Sequence, residues 1–514
     1  MPAPLSPAAE RWVDDWLGRL TPAQKIAHCL LVLPTVGPDG LPDAATRHAL
    51  ELGVGTLHSV RDLPASTATA YHGRVAEICA EAGLPPALIS GNLEAGIMYS
   101  LRHSGTHFPY PRGLGNAGDP DLAYRVAAAT AAEARAVGYH WTFSPCIDVV
   151  SVPDDPILGV RAYGVPAPLT GSLGAAQIRG YQDNGVLATA KHFPGHGDSS
   201  IDSHLAQPVV HRTPADHESI HRPPFADAVA AGVATIMVAH IAYPILGIDV
   251  PASLSPTVNR TWLRHDLGFN GLIITDALHM DAIARHHTPT TAALLALQAG
   301  ADVANVKCTP EEIAPIIKYL LAALDNGTLS EADLDNNVRR LLGARTLVGL
   351  HAPAEPRTPL ADTPATWTDP QRPATVDLHA GDGTALSPVD GFVVVGDSEL
   401  ARRVVELGVR RGLSLLLEPE PLTPGVLNRV APRHPGAHLI PVFGPGPIPA
   451  AQQWKDVAAV TADAPHPCPA VIVNSTLPAH TFGDVADRVI SVPAMDAFDI
   501  VTDAAVHATL DVLF

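Results

Sequence analysis

The sequence predicts an α/β protein, a (β/α)8 TIM-type barrel followed by a smaller α/β domain. Three observations carry this expectation. Short apolar runs bounded by polar or glycine-rich stretches recur through the first part of the chain. Ala-rich stretches with helical spacing lie between most of them. After an interval rich in proline and threonine, a second alternation of runs and helices begins at Gly391.

In chain order the β-like runs are Leu30–Leu33, Gly55–His58, Ala87–Ser90, Trp141–Ser144, Ala188–His192, Thr235–His240, Gly271–Thr275 and Asp302–Val306. The helical spacing falls on Asp121–Val137, Thr170–Asn184, His217–Ala231 and Thr288–Ala299. Eight runs alternating with helices over about 300 residues match a (β/α)8 barrel. Continuous apolar runs also suit parallel strands buried on both faces. An open doubly wound sheet has the same local signature, so the count favours the barrel without excluding that alternative. Pro310–Leu324 reads as a helix, and Ser330-Glu-Ala-Asp-Leu as the start of another, with Ser330 as N-cap, ending near Leu347. Ala352–Pro373 has no apolar period and reads as a linker or a strap across the surface. Beyond it, Phe392–Val395, Leu413–Leu417, Leu439–Val442, Ala470–Asn474 and Val489–Val492 are β runs, with helices over Ser398–Arg411 and Asp496–Phe514. These make a small parallel sheet flanked by helices. The expected domains are a barrel over residues 1–350, a linker over 351–385 and the smaller domain over 386–514. No internal repeat is evident.

Composition narrows the function classes. Of 514 residues, 46% are apolar and 17% charged, which supplies a large core and argues against disorder. A net charge of −19 argues against a nucleic-acid or anionic-membrane partner and says little about a neutral substrate. Residues Met1–Leu20 include Glu10, Asp14, Asp15 and Trp16 and have no basic stretch followed by an apolar one, so no signal peptide is expected. No segment reaches the roughly 18 uninterrupted apolar residues of a membrane helix. The five cysteines are scattered and lack C-x-x-C pairs, which suits reduced thiols in a cytoplasmic protein. Gly396-Asp397 does not have the spacing of a dinucleotide fingerprint, and no cofactor is expected. Nothing in the pattern fixes an oligomeric state.

In a βα barrel, reactive groups sit where strands give way to loops. Read at those positions, the chain offers Asn92 and Glu94, Asp148, Lys191 and His192, His240, Asp276, and Asn305 with Lys307. Ionisable groups abutting apolar strands need partners or a ligand, because burying them alone is costly. The densest segment is Lys191-His-Phe-Pro-Gly-His-Gly-Asp-Ser-Ser-Ile-Asp-Ser-His204. Pro194, Gly195 and Gly197 shape its turns. Asp202 and His204 are two apart, close enough for the carboxylate to bond one ring nitrogen and leave the other to move a proton near neutral pH. In Gly271-Leu-Ile-Ile-Thr-Asp276, a carboxylate just past an apolar run points into the rim, where Lys191 or Arg161 would hold it ionised. An ionised Asp is what covalent attack on an anomeric carbon requires. His192, His196, His204, Asp198 and Asp202 also invite a metal reading. They lie on a glycine-broken loop with no helical His pair, so no metal is expected, and His196 and Asp198 read as loop-shaping hydrogen bonders. His240 reads equally as site lining or as a buried structural partner.

These strings resemble glycoside hydrolase family 3, and within it the NagZ-like β-N-acetylglucosaminidase branch. The resemblance runs from Leu20 to Leu347 and includes Thr21-Pro-Ala-Gln-Lys-Ile, Ile89–Gly96, Phe108-Pro, Gly138–Asp148, Gly159-Val-Arg161-Ala-Tyr-Gly, Ala239-His240, Pro251–Pro256 and the two segments above. It implies a retaining β-glycosidase in which Asp276 attacks the anomeric carbon and the Asp202–His204 pair is the acid/base. Arg161, Lys191 and His192 fall on positions that hold sugar hydroxyls, and the region from Gly391 on resembles the α/β sandwich domain many members carry. Asn92-Leu-Glu94-Ala-Gly96 stands where the branch usually has Asp-x-Glu-Gly-Gly, so the sugar-binding aspartate is here Asn92, which adds a donor and loses the charge. Ser100 occupies the place of an arginine, with Arg102 nearby as a substitute. Glu94 reads as site lining or as a partner of Arg161, and Met280, Phe193 and Tyr163 as pocket wall or core. The expected substrate is a carbohydrate, a β-linked amino sugar or glucoside. A β-glucosidase, another β-glycosidase, a glycoside phosphorylase and a non-catalytic sugar-binding protein stand as alternatives. Phosphate enters because a neutral histidine base repels an anionic acceptor less than a carboxylate does.

Overall fold

The structure is a computed structural model and describes residues 5–60, 63–101, 104–106, 108, 110–151, 158, 161–199, 207–353, 358–365, 377–379, 392–395, 415–419, 426–430, 438–443, 471–475 and 489–493. The chain is α/β and divides into two units. The first comprises Met1–Phe108, Asp119–Val149 and Val165–Asp369, and the second Pro109–Gly118, Val150–Gly164 and Pro370–Phe514.

In the first unit, strands β1 (Leu31–Val32), β2 (Thr56–Leu57), β3 (Leu88–Gly91) and β4 (Trp141–Thr142) pair in that order, all parallel. Strands β5 (Thr189–Phe193), β6 (Thr235–Val238) and β7 (Leu272–Thr275) form a second parallel set, in register at Thr189, Thr235 and Leu272. Parallel bridges Trp141↔Leu187 and Cys146↔Lys191 join the first set to the second. The eighth expected run, Asp302–Val306, makes no ladder of its own. It pairs through single bridges, Val303 to Ile274 and Ala304 to Leu30. Its first residue explains this. Asp302 is wholly buried, and its carboxylate accepts from the Ile273 N–H at 2.7 Å and from Arg264 and Arg340, so a side chain takes up a donor of the neighbouring strand.

The helices of this unit form where cap signals bracket an apolar stripe. Pro120–Val137 starts at Asp119, whose side chain accepts from the Asp121 N–H, and stops at Gly138 with φ near +103°. Pro289–Ala299 repeats the device, with Thr288 capping the Thr291 N–H and Gly300 at φ +105°. Ser330 caps Glu331–Leu347 as expected, accepting from the Asp333 N–H. His217–Ala231, expected as one helix, is instead a π-wound turn, His217–His221, leading into the α-helix Arg222–Ala230. Pro223 and Pro224 have no N–H to return to the preceding turn, which loosens the winding there. No described helix is long and apolar enough to cross a membrane. Within the expected linker or strap, Asp362 accepts from the Ser66 N–H (2.7 Å) and hydroxyl (2.6 Å), and Pro364–Ala365 pairs in parallel with Gly105–Thr106.

The interior joins β4, β5 and β6 through satisfied polar groups. The buried Trp141 Nε1–H donates to the hydroxyls of Thr189 (2.8 Å) and Thr235 (3.0 Å). Where β2 and β3 begin, Arg345 is fully buried. Its guanidinium donates to the carbonyls of Gly55 (2.7 Å), Pro86 (2.7 Å) and Leu341 (2.8 Å), and burial pulls its pKa down to about 10. A side chain at Gly55 would run into that guanidinium, so only glycine fits. Cys29, Cys79, Cys146 and Cys308 are buried thiols outside any disulfide.

Among the described residues, the second unit holds six strands, β8 (Asp377–His379), β9 (Phe392–Val395), β10 (Leu415–Glu418), β11 (His438–Phe443), β12 (Val471–Ser475) and β13 (Val489–Pro493). Their order is β8-β13-β12-β11-β9-β10. All pairs are parallel except β8 with β13, so the sheet carries an antiparallel strand on one edge, which the expectation of a purely parallel sheet missed. The expected helices Ser398–Arg411 and Asp496–Phe514 lie outside the described residues.

Candidate active site

The expected site residues of the first unit gather where β3 to β7 end. Lys191, inside β5, donates from Nζ to Glu94 Oε1 at 2.7 Å, and the two side chains are only 3% and 0% exposed. The lysine that was to hold Asp276 is therefore paired with Glu94. The reason is position: Glu94 follows β3 and sits deep, whereas Asp276 is only partly buried.

His192 is the next residue. Its Nδ1 lies 2.7 Å from Asp148 Oδ2. The same carboxylate accepts from the His192 backbone N–H (3.0 Å), the His196 N–H (2.7 Å) and the Cys146 thiol (3.2 Å). Burial alone would raise the Asp148 carboxyl, but the His192 imidazole and these donors outweigh it and hold it well below the usual carboxylate range. His192 itself is pushed down by burial against the opposing pull of Asp148 and Asp276. A neutral imidazole that donates through Nδ1 presents Nε2 as an acceptor, ready for a hydroxyl proton. Cys146, Asp148 and His192 are close enough together to suit a metal ion. The carboxylate oxygens are already engaged by N–H and S–H donors, so the trio works as a hydrogen-bond cluster.

Asp148 gives a pH prediction. Its folded pKa lies below the unfolded value, so its contribution is present above about pH 4 and is lost as pH falls through the folded value. Asp148→Asn should therefore lower stability at pH 7 and flatten the acid arm of the stability curve in urea titrations. Parallel acid arms for both proteins would refute this.

Asp276 follows β7. Its backbone N–H donates to Val238 O at 2.9 Å, and its Oδ1 accepts from the Ala277 N–H at 2.7 Å. His240, after β6, supports that turn. Its Nε2 lies 3.1 Å from Ala277 O and its Nδ1 2.7 Å from Ser253 Oγ, which makes it a buried structural partner. Met280 is buried, and its N–H donates to Ala277 O at 3.0 Å. Asn92 is half-buried, and its carbonyl accepts from Ser100 Oγ at 2.9 Å, so the serine in the place of an arginine tethers the backbone of the altered aspartate position. Arg161 belongs to the second unit, where its N–H donates to Leu158 O at 2.7 Å. Asp202, His204 and Arg102 lie outside the described residues.

Arg212 is a residue the sequence reading did not single out. It grips the loop after β5, donating to Asp198 (Nη2 to Oδ1, 2.6 Å; Nε to Oδ2, 2.8 Å), to Pro194 O (2.8 Å) and to Gly195 O (2.7 Å). Tyr243 adds a bond from its hydroxyl to Gly195 O at 2.6 Å, beneath the guanidinium. Asp198 thus shapes the loop, as expected. No local pattern marks Arg212, because its partners are all upstream in a different turn.

Comparison with known proteins points one way. Residues 53–344 match the model of the glycosyl hydrolase family 3 N terminal domain. The chain is 29% identical over 338 residues to a β-N-acetylglucosaminidase/β-glucosidase of Cellulomonas fimi, covering 64% of this chain and 59% of that protein. It is 32% identical over 337 residues to the β-hexosaminidase LpqI of Mycobacterium bovis, covering 63% of this chain and 82% of that one. The solved structure of a glycoside hydrolase family 3 β-N-acetylglucosaminidase from Paenibacillus sp. str. FPU-7 superposes with a TM-score of 0.83 at 27% identity, covering 96% of each chain.

Proposed function

From the premise that this chain belongs to glycosyl hydrolase family 3, we propose that it is a retaining β-glycosidase, an exo-acting β-N-acetylglucosaminidase. The observation that carries the reading is the cluster at the ends of β3 to β7, where Asp148 holds the His192 imidazole beside the buried Lys191–Glu94 pair and Asp276 follows β7. The names of the Cellulomonas, Mycobacterium and Paenibacillus relatives support the choice of sugar.

In this reading Asp276 attacks the anomeric carbon while protonated His204, oriented by Asp202, donates to the leaving oxygen. The C–O bond to the aglycon breaks as the ester to Asp276 forms. Neutral His204 then takes a proton from water, which displaces Asp276 with net retention. His192 Nε2, Lys191 and Asn92 hold sugar hydroxyls, and Glu94 keeps the Lys191 ammonium in place. The reading includes a (β/α)8 barrel over residues 1–350, which the parallel pairs from β1 through β7 and the bridges of Val303 and Ala304 support. It also includes a smaller α/β sandwich domain over residues 386–514, which the mostly parallel sheet of the second unit supports.

The test is turnover of 4-nitrophenyl N-acetyl-β-glucosaminide, compared with the glucoside and xyloside. Binding without turnover would make the chain a sugar-binding protein. The double name of the Cellulomonas relative favours a β-glucosidase as second reading, and a glucoside preference would select it. Running the reaction with and without phosphate reads the acceptor, since a sugar 1-phosphate product identifies a phosphorylase. His204→Ala is expected to slow substrates with poor leaving groups by on the order of 10²–10⁴-fold while sparing aryl glycosides that need little protonation. Equal losses on both would refute the acid role of His204.

A further inference from the structure

A cavity of about 440 Å³ lies in the first unit and reaches Phe193, the last residue of β5; none of Asn92, Glu94, Asp148, Lys191, His192 and Asp276 lines it. Its walls include His217, Glu218 and Arg222 on one side, Trp262 and Asp266 on another, and Ile245 at its mouth. The volume falls within the roughly 300–1,000 Å³ of small-molecule sites.

Two features mark it as a built site. Both helical walls, His217–His221 and Thr257–Asp266, are π-wound, a geometry that is rare and concentrates at functional sites. His217, only 7% exposed, lines the cavity with its Nδ1 buried and unpartnered among the described residues, its ring 5.2 Å from that of Trp262. Burial, with Arg212 close by, pushes the His217 pKa down to about 4, so it is an uncharged wall at neutral pH. Trp262 is half-buried, which leaves part of its indole open. Around it stand hydrogen-bonding groups of both signs. The Arg222 guanidinium lies 3.5 Å from the Glu218 carboxylate, with 34% and 62% of those side chains exposed, and Asp266, on the Trp262 segment, also lines the cavity.

An indole that shares a cavity with carboxylates and a guanidinium matches the two-sided chemistry of a pyranose. Its C–H face packs on an indole, and its hydroxyls pair with charged acceptors and donors. We infer that this cavity is a second carbohydrate-binding site, which seats a neutral pyranose on Trp262 and engages its hydroxyls through Glu218, Arg222 and Asp266. The cavity wall is tied to the loop after β5, because His221, one turn on from His217, lies 3.6 Å from the Asp198 carboxylate that Arg212 holds. The choice of ligand class rests on the glycosidase reading, while the site itself rests on the cavity.

The test is calorimetric titration of the full-length protein with S-linked N,N′-diacetylchitobiose, whose sulfur bridge resists hydrolysis. Trp262→Ala, and independently Ile245→Trp, which fills the mouth from a position 52% exposed, should each weaken or abolish one binding component by about ten-fold or more. Trp262→Phe, which keeps a flat ring, should retain it. All three should turn over 4-nitrophenyl N-acetyl-β-glucosaminide within about two-fold of wild type, since neither Trp262 nor Ile245 belongs to the strand-end cluster. Wild-type isotherms in both Trp262→Ala and Ile245→Trp, or no binding to the unaltered protein at millimolar sugar, would overturn the second site. Absence of aryl-glycoside turnover in the unaltered protein would instead count against the glycosidase reading alone.

Discussion

Asp276→Ala is expected to lower kcat/KM on a 4-nitrophenyl β-glycoside by on the order of 10⁴-fold or more, with the fold intact. The carboxylate is partly exposed at a strand end, and its backbone bond to Val238 O survives the substitution. What disappears is the oxygen that forms the ester, and no neighbouring group replaces it: Glu94 is committed to Lys191 and Asp148 to His192. Azide, small enough to enter the vacated space, should restore turnover and give a glycosyl azide of inverted configuration. Labelling by a 2-fluoro sugar should then find Asp276 in the unaltered enzyme. A label on any other side chain removes the nucleophile assignment.

The second large effect concerns stability. Glu94→Ala strands the Lys191 ammonium in a site where it is 3% exposed, and breaking a buried pair from one side costs about 3–5 kcal/mol. The loss should appear as a lower urea midpoint. Because the penalty comes from the unpaired charge, the double variant Glu94→Gln with Lys191→Met should recover a good part of it while remaining poor in catalysis. If the double variant is no more stable than the single one, the pair is not the source of the cost.

The strands were legible where their apolar runs are continuous and where β3 to β7 end in ionisable residues. Asp302–Val306 was less so, because the buried Asp302 replaces part of a ladder with side-chain bonds to Ile273, Arg264 and Arg340, a tertiary arrangement invisible in a local run. The three-residue strand Asp377–His379 was hidden for a simpler reason: it is too short to show a period. At the site, Lys191 and His192 were found from the motif, yet their partners were not. Lys191 reaches Glu94 across 97 residues, and His192 reaches Asp148 across 44. Pairings at that separation follow from which strands are neighbours, and no spacing rule encodes them. Arg212 shows the same limit, since an isolated arginine before Thr213 and Pro214 carries no mark of the loop it clamps.

The buried Arg345 has a consequence for how the chain is made. Its guanidinium satisfies carbonyls that precede β2 and β3, at Gly55 and Pro86, and the Gly55 contact spans 290 residues. During synthesis those early carbonyls stay unmet until residue 345 has left the ribosome, so the nascent first unit waits for the helix Glu331–Leu347. Fragments ending upstream of that helix should bind chaperones and yield to protease, and adding the helix as a separate peptide should rescue them.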